Sequence, residues 1–249
     1  MEQKSWGASA PRKGMNMCGV FGFVSNGRKR PDVRTLERIA RVTERRGPHA
    51  FGFAWIDGAG RLRCYKQTGR ISDSLGLLAL AEDARMLVGH CRYATQGSPA
   101  DNINNHPHPA DGGWYVHNGV IADYERLVND LDLAPVSACD SELLGLLIEG
   151  CAGTLIERCR QAVGALSGGA RGEGRGASLY RSTLVFLGLW SRPARLIAIR
   201  SGNPLHVGRA AEGIYLGSLA EELPGAVQSV RDDSVVTWVH ARKEHAHAL

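Results

Sequence analysis

The 249-residue sequence lacks several features that would assign it to a specialised class. It has no run of about 18 to 20 apolar residues, so we expect no membrane-spanning helix. The first 14 residues contain no apolar core like that of a secretory signal peptide, and we therefore predict a cytoplasmic protein. Aromatic residues make up only 6% of the chain, and the arginines behind its net charge of +5 are scattered, which argues against nucleic-acid binding.

The six cysteines also lack the spacing of a metal site. There is no Cys-x-x-Cys pair and no zinc-like ligand spacing, so the sequence predicts free thiols, no bound metal and no cofactor. Most free cysteines are small, buried apolar residues. Cys18 is different, because it follows a methionine directly and precedes an apolar, strand-like run in "MNMCGVFGFV". This junction suggests that Cys18 is not truly internal.

Periodicity in the sequence predicts strands, a helix, strands, further helices and a final strand-rich part. The helices are predicted at 32–47, 123–131, 140–151 and 154–166. Gly47 suits the C-terminal cap of the first, and Asp140 suits the N-cap of the third. A hairpin is indicated at 57–60, and residues 167–178 form a glycine-rich loop. This order of elements indicates an α+β fold with antiparallel sheets and helices on the outer faces.

Polar motifs occur at predicted strand ends and helix starts, where functional loops concentrate. They are "GHCRYATQGSPADNINNHPHP" (89–109), "VHNGVIADY" (116–124) and "CDSELL" (139–144). Together with "MCGVFGF" and the Arg-Gly pair at 46–47, they resemble the class II glutamine amidotransferases, which are N-terminal-nucleophile (Ntn) hydrolases. Five family motifs stand in the family's order across roughly residues 18–240, which makes the resemblance specific.

The resemblance implies a four-layer αββα sandwich for residues 18–240, with two antiparallel sheets face to face and helices outside. Residues 1–17 are then a leader, a propeptide or a misplaced start, and residues 241–249 a flexible tail. Because this domain takes up nearly the whole chain, no acceptor domain is expected. The sequence therefore favours a stand-alone glutaminase subunit.

Cys18 is the expected nucleophile. A thiolate can attack the unactivated side-chain amide of glutamine, but a free thiol at neutral pH is mostly protonated. If Cys18 becomes the first residue, its own α-amine, with a reference pKa of about 7.7 to 8.0, can accept the thiol proton and later protonate the leaving ammonia. We therefore predict that the working enzyme begins at Cys18.

The resemblance also assigns groups that stabilise the reaction and hold the substrate. The Asn118 side-chain amide and the Gly119 backbone N–H are expected to form the oxyanion hole. Arg92 is expected to bind the α-carboxylate of glutamine, with help from Thr95. Asp140 is expected to bind the α-ammonium group.

Two positions depart from the family pattern. His49 stands where an acidic residue is expected, and Tyr93, which we include in the substrate site, replaces the tryptophan that gates an ammonia channel in hexosamine-making members. Three histidines, His90, His106 and His108, invite a role as bases or metal ligands. The Ntn mechanism needs neither, so we expect them to make structural hydrogen bonds.

Three functions remain open from the sequence. The first is a glutaminase subunit that passes ammonia to a separate synthetase or transferase, which would dock over the covered active site. The second is a hydrolase without a partner that acts on a γ-glutamyl compound. The third is a regulatory subunit that binds glutamine without turnover.

Overall fold

The structure is a computed structural model that describes residues 17–167 and 183–239 together with the backbone of residues 242–248. The predicted leader up to residue 16 and most of the predicted glycine-rich loop lie outside the described residues. Four α-helices are described: α1 (Val33–Glu44), α2 (Tyr124–Asp130), α3 (Glu142–Gly150) and α4 (Leu155–Ser167). Short 3₁₀ helices are described at Ile71–Asp73, Leu75–Ala81 and Asn102–Asn104.

Two antiparallel sheets form the centre of the molecule. Sheet A contains β1 (Gly19–Ser25), β2 (Ala50–Ile56), β3 (Leu62–Thr68), β4 (Met86–Arg92), β9 (His206–Arg209), β10 (Gly213–Gly217) and β11 (Gln228–Ser229), in the order β11-β9-β10-β1-β4-β2-β3. Sheet B contains β5 (His108–Ala110), β6 (Gly113–Val120), β7 (Thr183–Ser191), β8 (Ala194–Ser201), β12 (Ser234–Val239) and β13 (Arg242–Ala248), in the order β13-β12-β8-β7-β6-β5.

The sheets and helices form four layers, and apolar side chains fill the spaces between them. Because side chains alternate along a strand, β7 directs Val185, Leu187 and Leu189 into the cluster between the two sheets. It directs Leu184 and Phe186 into a second cluster beneath α3 and α4. A third cluster joins α1 and the 3₁₀ helices Ile71–Asp73 and Leu75–Ala81 to the outer face of sheet A. The predicted αββα sandwich is confirmed.

The first helix begins as predicted but ends earlier. Asp32 is its N-cap and accepts a hydrogen bond from the Arg34 backbone N–H at 3.2 Å. The helix ends at Glu44, so the expectation that Gly47 caps it is wrong. Gly47 lies instead against the end of β4, where an added Cβ would sit 2.4 Å from the backbone carbon of Arg92. Glycine is needed there for close backbone approach.

The predicted flexible tail is also a strand over most of its length. Residues Arg242–Ala248 form β13, which pairs antiparallel with β12 at the edge of sheet B. Without β13, strand β12 would have unpaired backbone groups along one edge, and the segment that follows it can pair with them. The sequence-based prediction did not allow for this pairing. Among the described residues, no helix is both long enough and apolar enough to cross a membrane.

Candidate active site

The predicted site residues come from the ends of strands in both sheets. Cys18 directly precedes β1, and Arg92 is the last residue of β4. Because β1 and β4 are antiparallel and Gly19 pairs with Cys91, the start of one strand lies beside the end of the other. Asn118 lies near the end of β6 in sheet B.

Cys18 is half-buried and held by backbone groups. The Tyr93 backbone N–H donates to its Sγ at 3.3 Å, and the thiol lies 3.5 Å from the Tyr93 carbonyl oxygen. The Arg46 Nε donates to the Cys18 carbonyl at 2.8 Å. Burial raises the pKa of the Cys18 thiol to about 12, although the Tyr93 hydrogen bond and the charge of Arg92 act against this rise. With Met17 attached, the thiol is therefore protonated at neutral pH.

Arg92 is buried and its guanidinium holds the loop that follows β4. It donates to Asn105 Oδ1 and to the Gly97 carbonyl, each at 3.1 Å, and to the Gln96 carbonyl. Its positive charge lowers the pKa of the Cys18 thiol. Thr95 lies in the same loop and is exposed.

His49 supports the backbone that contacts the nucleophile. Its Nδ1 accepts a hydrogen bond from the Ala94 backbone N–H at 3.0 Å. Its ring lies against the Tyr93 ring, with centroids 4.7 Å apart. His49 thus holds Tyr93 and Ala94 in place. It stands where the family pattern has an acidic residue.

Asn118 and Gly119 lie within β6, paired with β7. The Asn118 side chain is fully buried, and neither its Nδ2 nor its Oδ1 has a hydrogen-bond partner among the described residues. Its backbone carbonyl accepts from Asn203 Nδ2 at 2.9 Å. At Gly119, an added Cβ would lie 2.0 Å from the Thr183 carbonyl oxygen, so no side chain fits.

Asp140 is not the N-cap of α3, contrary to the prediction. That position belongs to Ser141. Asp140 is buried, and its Oδ2 accepts from the Ile121 backbone N–H at 2.9 Å, just beyond the end of β6. Tyr115 makes a second link between β6 and α3, because its hydroxyl donates to the Ser141 carbonyl at 2.8 Å and accepts from the Gly145 N–H at 3.0 Å.

Four buried histidines lie near these residues, and burial lowers the pKa of each, so all are neutral at physiological pH. His90 Nε2 makes the predicted hydrogen bond, to the His117 carbonyl at 2.9 Å. His106 Nδ1 and His108 Nε2, like His90 Nδ1, are buried without a hydrogen-bond partner in the part of the chain that the structure describes.

The site combines the Cys18 thiol with one positively charged and one negatively charged side chain. Arg92 lowers and Asp140 raises the pKa of the Cys18 thiol, so both charges act on the sulfur. Cys139 also raises the pKa of this thiol, and no role was predicted for that residue. No role was predicted either for Asn203, which follows β8.

No family model matches the chain. Comparison with curated proteins finds glutamine–fructose-6-phosphate aminotransferase (isomerizing) of Symbiobacterium thermophilum, 33% identical over 222 residues, or 86% of this chain and 33% of that protein. The protein of the same name from Aeropyrum pernix is 34% identical over 227 residues, or 87% of this chain and 34% of that protein. The chain thus spans about a third of the length of these curated relatives.

Solved structures share the fold at lower identity. Glutamine phosphoribosylpyrophosphate amidotransferase from B. subtilis matches with a TM-score of 0.68 and 20% identity, over 88% of this chain and 47% of that one. A glutamine aminotransferase class-II domain protein from Silicibacter pomeroyi matches with a TM-score of 0.58 and 16% identity, over 88% of this chain and 94% of that one. At these identities the likeness is one of fold.

Proposed function

The chain belongs to the class II glutamine amidotransferases, and from this premise we propose that it hydrolyses the side-chain amide of L-glutamine to glutamate and ammonia. Cys18 is the nucleophile in this proposal. The observation that carries it is the hydrogen bond of 3.3 Å that the Cys18 Sγ accepts from the backbone N–H of Tyr93, the residue directly after Arg92, together with the opposite effects of the Arg92 and Asp140 charges on the pKa of this thiol. Free glutamine has an α-carboxylate and an α-ammonium group that match these two charges.

Activation of the thiol requires a base, and this proposal assigns that role to the α-amine of Cys18 itself. Burial keeps the Cys18 thiol protonated while Met17 is attached, with a pKa of about 12. Cleavage before Cys18 would free its α-amine, which takes the thiol proton as sulfur bonds to the amide carbon. The same ammonium returns a proton to nitrogen as the carbon–nitrogen bond breaks and ammonia leaves. Water then hydrolyses the thioester to glutamate and restores the thiol.

Asn118 supports this mechanism as a donor to the tetrahedral intermediate. A buried amide without a partner is unfavourable in a resting protein. It is useful in an enzyme when the missing partner is a developing oxyanion. Gly119 allows its own backbone N–H to approach from the same strand, because no Cβ fits there.

Transfer of the ammonia to an acceptor enzyme is supported by exposed apolar side chains on the segments that carry the site. Val120, which follows Gly119, is 55% exposed, and Val136, which precedes Asp140 by four residues, is 77% exposed. Ile103 is 44% exposed in the loop that Arg92 holds. A docked acceptor would cover these side chains and keep ammonia from water.

The hydrolysis proposal is tested with 6-diazo-5-oxo-norleucine, a glutamine analogue that alkylates the nucleophile. We expect one adduct per chain, on Cys18, in protein whose intact mass shows that it begins at this residue. Cys18→Ala should abolish both the adduct and ammonia release from glutamine. Cys151→Ala is the matched control, since this half-buried cysteine lies at the end of α3, and it should retain both.

Two results would refute the assignment of Cys18. One is ammonia release by protein that still carries residues 1–17 in full, because self-activation is then impossible. The other is an adduct on a different residue. Turnover of γ-glutamyl peptides in preference to glutamine would indicate a partner-free hydrolase instead.

The acceptor proposal is tested by replacing Val136 with a photo-cross-linking amino acid in cells that express the protein. We expect a cross-link to one main protein, which mass spectrometry identifies as an amide- or amine-forming synthetase or transferase. Leu80 is the control position, because it is 50% exposed in the 3₁₀ helix on the outer side of sheet A. Equal cross-linking at both positions, or none at Val136, would contradict the proposal.

A further inference from the structure

Three potential metal ligands gather beside the candidate active site. His106, His108 and Cys139 each place one donor atom within 4.8 Å of the other two, and all three residues are buried. His108 begins β5, whereas Cys139 lies in the segment before α3. Sequence spacing could not reveal this cluster, because its members come from separate segments of the chain.

Two of these residues have buried nitrogens without a hydrogen-bond partner. His106 Nδ1 and His108 Nε2 are enclosed and unpartnered among the described residues, and both side chains are only 2% exposed. Buried polar atoms in native proteins almost always have a partner, which can be protein, ordered water or an ion, and a metal ion would supply that partner for both nitrogens. The rings are also fixed, because His106 lies against His90 with centroids 3.9 Å apart and meets His108 edge-on at 4.6 Å.

The backbone around the cluster is held in place by hydrogen bonds. The Ala138 N–H donates to Asn104 Oδ1 at 2.8 Å, which joins the histidine-bearing segment to the one that carries Cys139. Lys66 Nζ donates to the carbonyls of Asn105 and Pro107, at 2.7 and 3.2 Å. Ligand positions that are set before binding favour a metal site.

We propose that His106, His108 and Cys139 bind a borderline divalent cation, Zn²⁺ in the first place. Two imidazole nitrogens and one thiolate are a donor set that Zn²⁺ prefers, and three protein ligands leave the fourth position open to water or another ligand. On binding, the Cys139 S–H bond breaks, its proton passes to solvent, and the sulfur electron pair forms the bond to the metal.

A carboxylate lies beside the cluster. Asp140 Oδ1 is 3.9 Å from the Cys139 sulfur. A negative charge at this distance favours a cation bound to that sulfur.

The test is a Co²⁺ and Zn²⁺ titration of the full chain under reducing conditions and without substrate. Co²⁺ should bind at one per chain with a thiolate-to-cobalt charge-transfer band and the intense visible bands of four-coordinate cobalt, and Zn²⁺ should displace it. Cys139→Ser should remove the charge-transfer band and weaken Zn²⁺ binding by more than about 100-fold, since even the loss of an outer partner of a ligand costs about 10- to 100-fold.

Two variants distinguish this cluster from other donors in the sequence. Cys18→Ala removes the neighbouring thiol, and a double His245→Ala, His247→Ala variant removes the histidine pair near the C-terminus; both should keep the charge-transfer band. Loss of the band in either variant, or its survival in Cys139→Ser, would overturn the proposal. A wild-type chain without the band would also overturn it, whether or not the Cys139 variant folds.

The proposed ion would also affect the candidate active site, an expectation that rests on the proposed function. Asp140 follows Cys139 directly, and its oxygen lies 3.9 Å from the Cys139 sulfur. A bound cation would compete with the glutamine ammonium group for this carboxylate, so we expect Zn²⁺ to raise the KM for glutamine. Because metal binding is measured without substrate, failure of the glutaminase proposal would leave that measurement unchanged.

Discussion

At the scale of single residues, the candidate site differs from the rest of the core in its unpaired polar atoms. Asn118 is fully buried in a strand, yet its amide nitrogen and oxygen have no partner among the described residues. An amide in this state contributes nothing by hydrogen bonding to the folded protein and costs about 1 to 3 kcal/mol in lost hydration. Such an arrangement is expected where a substrate completes the hydrogen bonds.

This leads to a prediction for Asn118→Ala. We expect kcat for ammonia release from glutamine to fall by about 10²- to 10³-fold, because a donor to the oxyanion is lost. The melting temperature should change little, since no hydrogen bond is broken. Removal of the unpaired amide also offsets part of the free energy lost to the cavity that the smaller side chain leaves. Steady-state kinetics and a thermal unfolding scan measure the two quantities.

Asn203→Ala is the contrasting variant. Asn203 Nδ2 donates to the Asn118 carbonyl at 2.9 Å, so its removal should cost about 1 kcal/mol in the free energy of unfolding. Its effect on kcat should be smaller than that of Asn118→Ala, because the Asn203 side chain bonds only to backbone carbonyls of β6 and β7 among the described residues. An Asn118→Ala protein that unfolds more easily but retains its kcat would assign Asn118 a structural role.

For single residues of the site, the sequence predicted roles only where a motif resembles the family pattern. The roles of Cys18 and Asn118 come from such motifs and stay predictions. The environment of Asp140 was not predictable, because its partner is the backbone N–H of Ile121, which follows β6 and is distant in sequence. For the same reason, the proximity of His106 to Cys139 could not be predicted.

At the scale of secondary-structure elements, the sequence predicted the interior of helices and strands better than their ends. The hairpin predicted at 57–60 joins β2 and β3. Periodicity is strong in such stretches because one face is buried. The 3₁₀ helix Leu75–Ala81 was not predicted, although Leu78 is buried in the cluster that includes α1.

Helix ends were missed where tertiary contacts decide them. The third predicted helix was expected to start at Asp140, an ordinary N-cap residue, but α3 starts at Glu142. The Asp140 carboxylate instead contacts the end of β6, and Tyr115 of that strand bonds to the first turn of the helix. Contacts between elements thus override local capping preference here.

At the scale of the whole molecule, the candidate site straddles the two sheets. Cys18 directly precedes β1 and Arg92 ends β4, both strands of sheet A, whereas Asn118 belongs to sheet B. The distance between the proposed nucleophile and the proposed oxyanion donor therefore depends on the packing of apolar side chains between the sheets. Leu187 of β7 is one of these, and it packs over Gly22 of β1, where an added Cβ would lie 3.7 Å from its Cδ1.

A last prediction follows for Leu187→Ala. We expect the free energy of unfolding to fall by about 2 to 5 kcal/mol, as for other large-to-small core substitutions. Because the sheets can then shift relative to each other, kcat should fall as well, and a misplacement of about 1 Å can cost up to about 10²-fold. The free energy is measured by urea unfolding followed by circular dichroism, and kcat under conditions where the variant remains folded.

Ile148→Ala is the matched control for this prediction. Ile148 is equally buried, but in the cluster between sheet B and its outer helices. Its truncation should lower the free energy of unfolding by a similar amount, about 2 to 5 kcal/mol. The two sheets should keep their spacing, so kcat should change little. If both variants lower kcat equally, activity follows global stability, and the packing between the sheets does not set the geometry of the site.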